Sequence, residues 1–152
     1  MKSYFLINIV LLGVSLLSQT EEIELGKPLP KNVVIIDSSK SKLLETGPSS
    51  LEPSLDIQYN HINYSVVLSK EKKASFIITW DHAFKTKEGF KIGTLYKDVR
   101  MKYKGNGRYV PGYCYYIKLN SGWNALFSND KIFEEEKPSD SDSIKGFYKG
   151  GY

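Results

Sequence analysis

The chain of 152 residues contains a single cysteine and only two histidines. With Cys114 alone, no intramolecular disulfide can form, so packing must stabilise the folded state. Cys114 lies between Tyr113 and Tyr115, a setting that favours a buried structural thiol. A nucleophilic cysteine needs a nearby histidine or another cation to lower the pKa of its thiol. Nothing in the sequence links His61 or His82 to Cys114.

Arginine is scarce as well, since Arg100 and Arg108 are the only arginines among 21 basic residues. The formal net charge is +4 and falls by one if Lys2 is removed. Proteins that bind nucleic acids usually rely on arginine for bidentate contacts with bases and phosphates. The composition therefore argues against a nucleic-acid partner.

Charged residues are absent from the start of the chain after Lys2. Residues 4–17 form a nearly uninterrupted apolar run of 14 residues, the length of a signal-peptide core and shorter than the roughly 20 residues of a membrane-spanning helix. Small polar residues permit cleavage after Thr20, or alternatively after Ser18. We expect residues 1–20 to be a cleaved signal peptide and the mature protein to be periplasmic or secreted, with no membrane span. The alternative is an uncleaved N-terminal anchor or a buried core helix.

Alternation of apolar and polar residues predicts β-strands along the rest of the chain. Residues 62–68 and 74–80 are separated by a short polar turn and predict an antiparallel hairpin. Residues 113–119 and 123–127, joined by a tight loop that contains glycine, predict a second hairpin. A first strand is expected at residues 33–36 and a last strand at 144–149.

Other segments predict irregular structure. Residues 37–56 are rich in serine, proline and glycine, a composition typical of a long surface loop. We therefore expect an N-terminal segment with this loop over residues 21–56, a single domain over residues 57–149 and a frayed tail over residues 150–152.

One helix is predicted over residues 94–104. Thr94 is a suitable N-cap, apolar residues recur at helical spacing as far as Tyr103, and Gly105 begins a sequence typical of helix ends. The order of elements indicates an α+β fold, in which a mostly antiparallel sheet of about five to six strands packs against this one main helix.

Glycines recur at regular positions between the two hairpins. Residues 86–93 read Thr-x-x-Gly-hydrophobic-x-hydrophobic-Gly, and the sequences Pro111-Gly112-Tyr113 and Ser121-Gly122-Trp123 follow. Over residues 74–127 this arrangement resembles small exported bacterial α+β proteins of unknown function, and it is similar to BamE-like and β-lactamase-inhibitor-like repeats. The resemblance implies no catalytic residues.

Few residues suggest chemistry. Asp81 and His82 follow the first hairpin directly, so a hydrolase that uses Asp81, His82 and Cys114 is an alternative function. Two histidines and one cysteine without ligand-like spacing do not predict a zinc site. The acidic stretch 130–142 lacks the spacing of an EF-hand and is expected to be a solvated loop. We predict no cofactor and no metal.

Basic residues cluster between positions 85 and 108. Four of them lie on the predicted helix, and three of these four, Lys97, Arg100 and Lys102, are candidate binding residues. They are either a solvated face or a patch for an anionic partner. Trp80 and Trp123 belong either to the core or to an aromatic platform. The second possibility makes a carbohydrate-binding module a further alternative, and it requires an indole exposed in a shallow groove.

The sequence as a whole favours a small exported binding protein over an enzyme. Its expected partner is a macromolecule, a protein or polysaccharide of the cell envelope or outside the cell. The candidate binding residues are Trp80, Asp81, His82, Lys97, Arg100, Lys102 and Trp123.

Overall fold

The computed structural model describes residues 22–104, 107–127 and 137–151, without the side chains of residues 37–41. The predicted signal peptide and most of the acidic stretch 130–142 therefore lie outside the described residues.

The strands of the described chain form one antiparallel sheet. They are β1 (Val34–Gly47), β2 (Ser50–Tyr59), β3 (Ile62–Leu68), β4 (Ala74–Thr79), β5 (Gly107–Val110), β6 (Cys114–Lys118), β7 (Asn124–Phe127) and β8 (Ile144–Gly150), with one helix, α1 (Tyr96–Lys102), between β4 and β5. Their order across the sheet is β1-β2-β3-β4-β8-β7-β6-β5. The last strand of the chain therefore lies in the middle of the sheet.

The two predicted hairpins are confirmed. β3 pairs with β4 in a register that places Val66 opposite Ile77, and β6 pairs with β7 so that Ile117 lies opposite Ala125. The predicted last strand is β8, which extends to Gly150, the first residue of the predicted frayed tail.

The predicted α+β fold with a sheet packed on one main helix is wrong. The helix spans seven residues rather than 94–104, and the sheet has eight strands rather than five to six. Thr94 does not cap the helix, because Leu95 is the N-cap residue and the Thr94 hydroxyl accepts a hydrogen bond from the amide of Lys91 at 3.1 Å. The carbonyl of Thr94 accepts a hydrogen bond from the amide of Ile144 at 2.9 Å. The amide of Tyr96 in turn donates to the carbonyl of Asp142 at 2.7 Å. The chain leading into the helix is thus paired with the chain leading into β8, and the protein is mainly β.

The surface loop predicted at residues 37–56 is also wrong, because these residues extend β1 and form most of β2. The composition of residues 37–56 did not predict strands, because proline and serine are more typical of turns and loops than of strands. Pairing of β2 with β3 begins at Ser54, so residues 50–53 have a single neighbour, β1. Pro53 is tolerated there because only one side of the strand needs amide donors.

Alternating side chains build an apolar cluster on each face of the sheet. On the first face, α1, the N-terminal segment and the loop around Phe84 cover side chains such as Ile77 and Phe147. The cluster on the second face consists of Val67, Phe76, Ile78, Cys114, Tyr116 and Tyr148. Both faces are therefore partly withdrawn from water.

The sheet curls so that its second face is concave. Leu44 of β1 packs against the second cluster, and the hydroxyl of Tyr113 donates to the carbonyl of Glu45 at 3.2 Å. Because β1 is one edge of the sheet and Tyr113 follows the opposite edge strand, this contact requires strong curvature. β1 consequently forms a wall over the second face.

The N-terminal segment is tied to the sheet near the start of β4. The amide of Gly26 donates to the carbonyl of Ala74, and the amide of Ala74 donates to the carbonyl of Lys27, at 2.8 and 2.9 Å. Ile23 is buried in the first cluster. Within the described ranges, no helix is long and apolar enough to cross a membrane.

Candidate ligand-binding groove

Trp80 is the one of the two candidate tryptophans that the fold leaves accessible. It follows β4 directly, and 48% of its surface is exposed. Its indole lies against Gly146 of β8, where an added Cβ atom would come within 3.0 Å of the ring. A side chain at that position would crowd the indole, so the glycine permits the close approach of the ring to β8.

Polar side chains of two neighbouring strands lie beside Trp80. Asp56 of β2 is opposite Ser65 of β3, and Gln58 is opposite Asn63. Ser65 pairs in turn with Ile78, a member of the second cluster. Because side chains alternate along a strand, these polar residues and Trp80 belong to the second face.

β1 turns this part of the second face into a groove of about 470 Å³. Its walls include the apolar side chains of Ile36, Leu43 and Leu44, and its polar lining includes Lys42, Ser54, Asp56, Asn63 and Ser65, with Trp80. Leu43 is 65% exposed. The site is therefore an open groove with a mixed lining and an aromatic surface.

Hydrogen bonds fix the polar lining. The ammonium group of Lys42 contacts Oδ2 of Asp56 at 2.5 Å, and the hydroxyl of Ser65 donates to Oδ1 of the same carboxylate at 2.7 Å. Nε2 of Gln58 donates to Oδ1 of Asn63 at 3.3 Å. Lys42 and Asp56 are the two charged residues among the described groove residues, and their ion pair leaves the lining without net charge.

Asp81, the neighbour of Trp80, has a structural function. Its carboxylate accepts hydrogen bonds from the amides of Ala83 and Asn63, both at 2.9 Å, and these bonds lower the pKa of Asp81. The side chain therefore closes the turn after β4 and links it to β3. His82 is exposed in that turn.

Trp123 cannot serve as a platform, because it is 1% exposed in the first cluster. Its Nε1 donates to Oε1 of Glu22 at 2.7 Å. The ammonium group of Lys149 lies 4.6 Å from the Trp123 ring centroid and 3.2 Å from Oε1 of Glu22. Trp123, Glu22 and Lys149 form a cluster, here called the Glu22 cluster, that anchors the N-terminal segment.

The predicted basic residues lie on α1, which packs on the first face. Arg100 forms an ion pair with Asp140 at 2.9 Å, and Lys102 lies 5.5 Å from the ring centroid of Phe90. Lys97 is exposed. The candidate binding residues are thus divided between two faces of the sheet, with Trp80 on the second face and the helical residues on the first.

Cys114 is buried in the second cluster. Burial raises the pKa of its thiol to about 12. The thiol is therefore protonated at neutral pH and is a poor nucleophile.

The groove residues of β2 and β3 were missed by the sequence reasoning. Ser54 and Asp56 of β2 line the groove, but they fell within the segment interpreted as a loop. Ser65 and Asn63 were interpreted as the solvent face of a strand. The missing signal was the position of β1, which converts that face into a groove.

The search for protein-family models, curated proteins and solved structures similar to this chain gives no match. Within the part of the chain that the structure describes, no group of three or more potential metal ligands occurs.

Proposed function

We propose that this protein is an exported binding protein that recognises another macromolecule, in the cell envelope or outside the cell, through the groove beside Trp80. The observation that carries the proposal is the half-exposed indole of Trp80, which lies next to Gly146 and lines a groove of about 470 Å³. Aromatic side chains of this kind are favoured at binding sites, because they offer a large rigid surface at a small cost in conformational entropy.

Binding is favoured over hydrolysis because the nominated catalytic groups are otherwise engaged. The Asp81 carboxylate accepts two backbone hydrogen bonds, and Cys114 is buried with a raised thiol pKa. A Cys-His pair needs an activated thiolate. These observations weigh against the alternative hydrolase that uses Asp81, His82 and Cys114.

Export is supported by the position of the predicted cleavage site. Cleavage after Thr20 or Ser18 would retain Glu22, whose carboxylate contacts Trp123 and Lys149. The mature chain would therefore keep the contacts that anchor its N-terminal segment. N-terminal sequencing of the exported protein tests this point, and Met1 on that protein would contradict it.

The groove is tested by recovering partners from an envelope or secretome fraction with the immobilised mature protein. We expect Trp80→Ala to lose the partner that the wild type recovers. Met101→Ala should retain it, because Met101 is an exposed apolar residue on α1. Near-UV circular dichroism would establish that both variants are folded.

The competing basic surface is tested in the same experiment. A variant with Lys97, Arg100 and Lys102 changed to glutamate should recover the partner as well as the wild type does. Loss of the partner in this variant, with full recovery by Trp80→Ala, would contradict the proposal and place binding on α1.

A further inference from the structure

We infer that the groove beside Trp80 binds an uncharged stretch of polysaccharide, with one sugar ring stacked on the indole. The inference rests on the proposed function and names the class of ligand. It assigns the recognition of hydroxyl groups to Asp56, Asn63 and Ser65, none of which was a candidate from the sequence.

Trp80 offers an accessible aromatic surface beside the groove. The Cδ1 and Nε1 atoms of its indole lie next to Gly146, while about half of the residue remains exposed. The face of an aromatic ring is electron-rich and apolar. The C–H groups on one side of a pyranose ring form a flat, weakly positive surface of similar size, so a sugar ring matches this face.

The polar groups of the groove lining match those of a sugar. A sugar presents neighbouring hydroxyl groups that both donate and accept hydrogen bonds. Asp56 supplies acceptors, Asn63 supplies an amide with both functions, and the hydroxyl of Ser65, whose proton is donated to Asp56, can still accept. A lining rich in such groups next to an aromatic surface satisfies both the polar edge and the apolar face of a sugar.

The charges of the described groove lining are balanced. Its two charged residues, Lys42 and Asp56, form an ion pair. Uncompensated charge on a ligand would therefore lose hydration without gaining a full counter-charge. Basic residues do line a separate pocket of about 440 Å³ beside α1, formed partly by Arg100, Lys104 and Lys137. The contrast favours an uncharged ligand for the groove.

The groove is large enough for a ligand and open to solvent. Its volume lies within the roughly 300–1,000 Å³ typical of ligand sites, and two of its lining residues, Leu43 and Trp80, are exposed. An open groove admits a chain that continues beyond the site, whereas a closed cavity admits only a small molecule. A polysaccharide segment is therefore favoured over a free monosaccharide.

The test is affinity electrophoresis of the mature protein in gels that contain one soluble polysaccharide each. The uncharged probes are laminarin, hydroxyethyl cellulose, glucomannan, dextran and glycol chitin in its N-acetylated form; the anionic probes are alginate and heparin. We expect at least one uncharged probe to retard the wild type, with retardation unchanged between low and high salt because no counter-ions are released.

Variants assign the binding to the groove. Trp80→Ala should weaken binding to the uncharged probe at least tenfold, and Ser65→Ala should weaken it several-fold, whereas Met101→Ala should leave it unchanged. Acrylamide quenching gives an independent readout, because Trp80 is exposed while Trp123 is buried. The bound polysaccharide should protect the quenchable fraction of the tryptophan fluorescence.

Two results would overturn the inference. The first is retardation by anionic probes only, abolished by salt and by the triple change of Lys97, Arg100 and Lys102 to glutamate. The second is absence of retardation by every uncharged probe. If Trp80-dependent recovery of a protein partner then persists after enzymatic removal of glycans, the sugar class is wrong while the proposed function of the groove stands.

Discussion

Replacement of Glu22 by glutamine isolates the charge in the Glu22 cluster. Glutamine preserves the size of the side chain and an oxygen that can accept the hydrogen bond from Trp123, but it leaves the ammonium group of Lys149 without its counter-ion. The Lys149 side chain is 10% exposed and that of Glu22 is 31% exposed, so water compensates only in part for the lost partner.

The expected cost follows from this partial burial. Removing one partner of a fully buried ion pair costs about 3–5 kcal/mol, whereas exposed pairs contribute about 0–1 kcal/mol. Hydrogen bonds to charged groups contribute about 1.5–3 kcal/mol. We expect Glu22→Gln to lower the free energy of unfolding by about 2 kcal/mol, which corresponds to a fall in Tm of about 8 °C for a domain of this size.

Urea unfolding followed by tryptophan fluorescence measures this change, and Lys87→Gln is the matched control. Lys87 lies 3.5 Å from the Glu22 carboxylate, but its side chain is 78% exposed, so we expect a loss below about 0.5 kcal/mol. Equal effects of the two substitutions would refute the reasoning, because the burial of Lys149 would then contribute nothing.

The same comparison has a defined pH dependence. Burial alone would raise the pKa of Glu22, but the hydrogen bond from Trp123 and the ammonium groups of Lys149 and Lys87 together lower it. A carboxylate with a lowered pKa in the folded state stabilises the fold above its unfolded pKa of about 4.3. This stabilisation is lost as the pH falls through the lower, folded pKa. The difference between wild type and Glu22→Gln should be constant near neutrality and shrink below about pH 4.

Three further predictions follow from the packing. Gly107→Ala should destabilise the fold by about 1–3 kcal/mol in urea unfolding, because the new Cβ atom would lie 1.9 Å from the hydroxyl oxygen of Tyr115; Tyr115→Phe in the same chain should recover part of the loss. His61→Gly should stabilise the fold by about 0.5–1 kcal/mol, because His61 has a φ of 63°; an unchanged or lower midpoint would contradict this. Cys114 should react with Ellman's reagent only as fast as the protein unfolds, since the thiol is buried; rapid labelling of the native protein would contradict its place in the second cluster.

The sequence predicts the central hairpins well and the edges of the sheet poorly. In β3 with β4 and in β6 with β7, apolar alternation reflects burial that the observed clusters confirm. β1 is different because its apolar residues Val34, Ile35 and Leu43 are exposed. The sequence of apolar residues along β1 therefore does not indicate a buried face. β5 begins at Gly107, within the sequence interpreted as the end of the helix.

The sequence predicts a candidate site residue only where the type of that residue is sufficient evidence by itself. Trp80 was nominated from its residue type, and its exposure agrees with a platform. Trp123 was nominated for the same reason, but that prediction is wrong because Trp123 is buried. The two indoles differ in their tertiary contacts, which their neighbours in sequence do not specify. Asp56 and Ser65 become neighbours through the pairing of β2 with β3, in a segment for which no pairing was expected.

The central position of β8 constrains when this protein can fold. Its neighbours β4 and β7 both precede it in the chain, so neither half of the sheet can join the other until residue 150 has been synthesised. Contacts between such distant residues slow folding, since a long loop must close before they form. We therefore expect the two half-sheets, β1–β4 and β5–β7, to form separately and to join only through β8. Removal of the seven residues of β8 should leave two separate half-sheets rather than a shortened native protein.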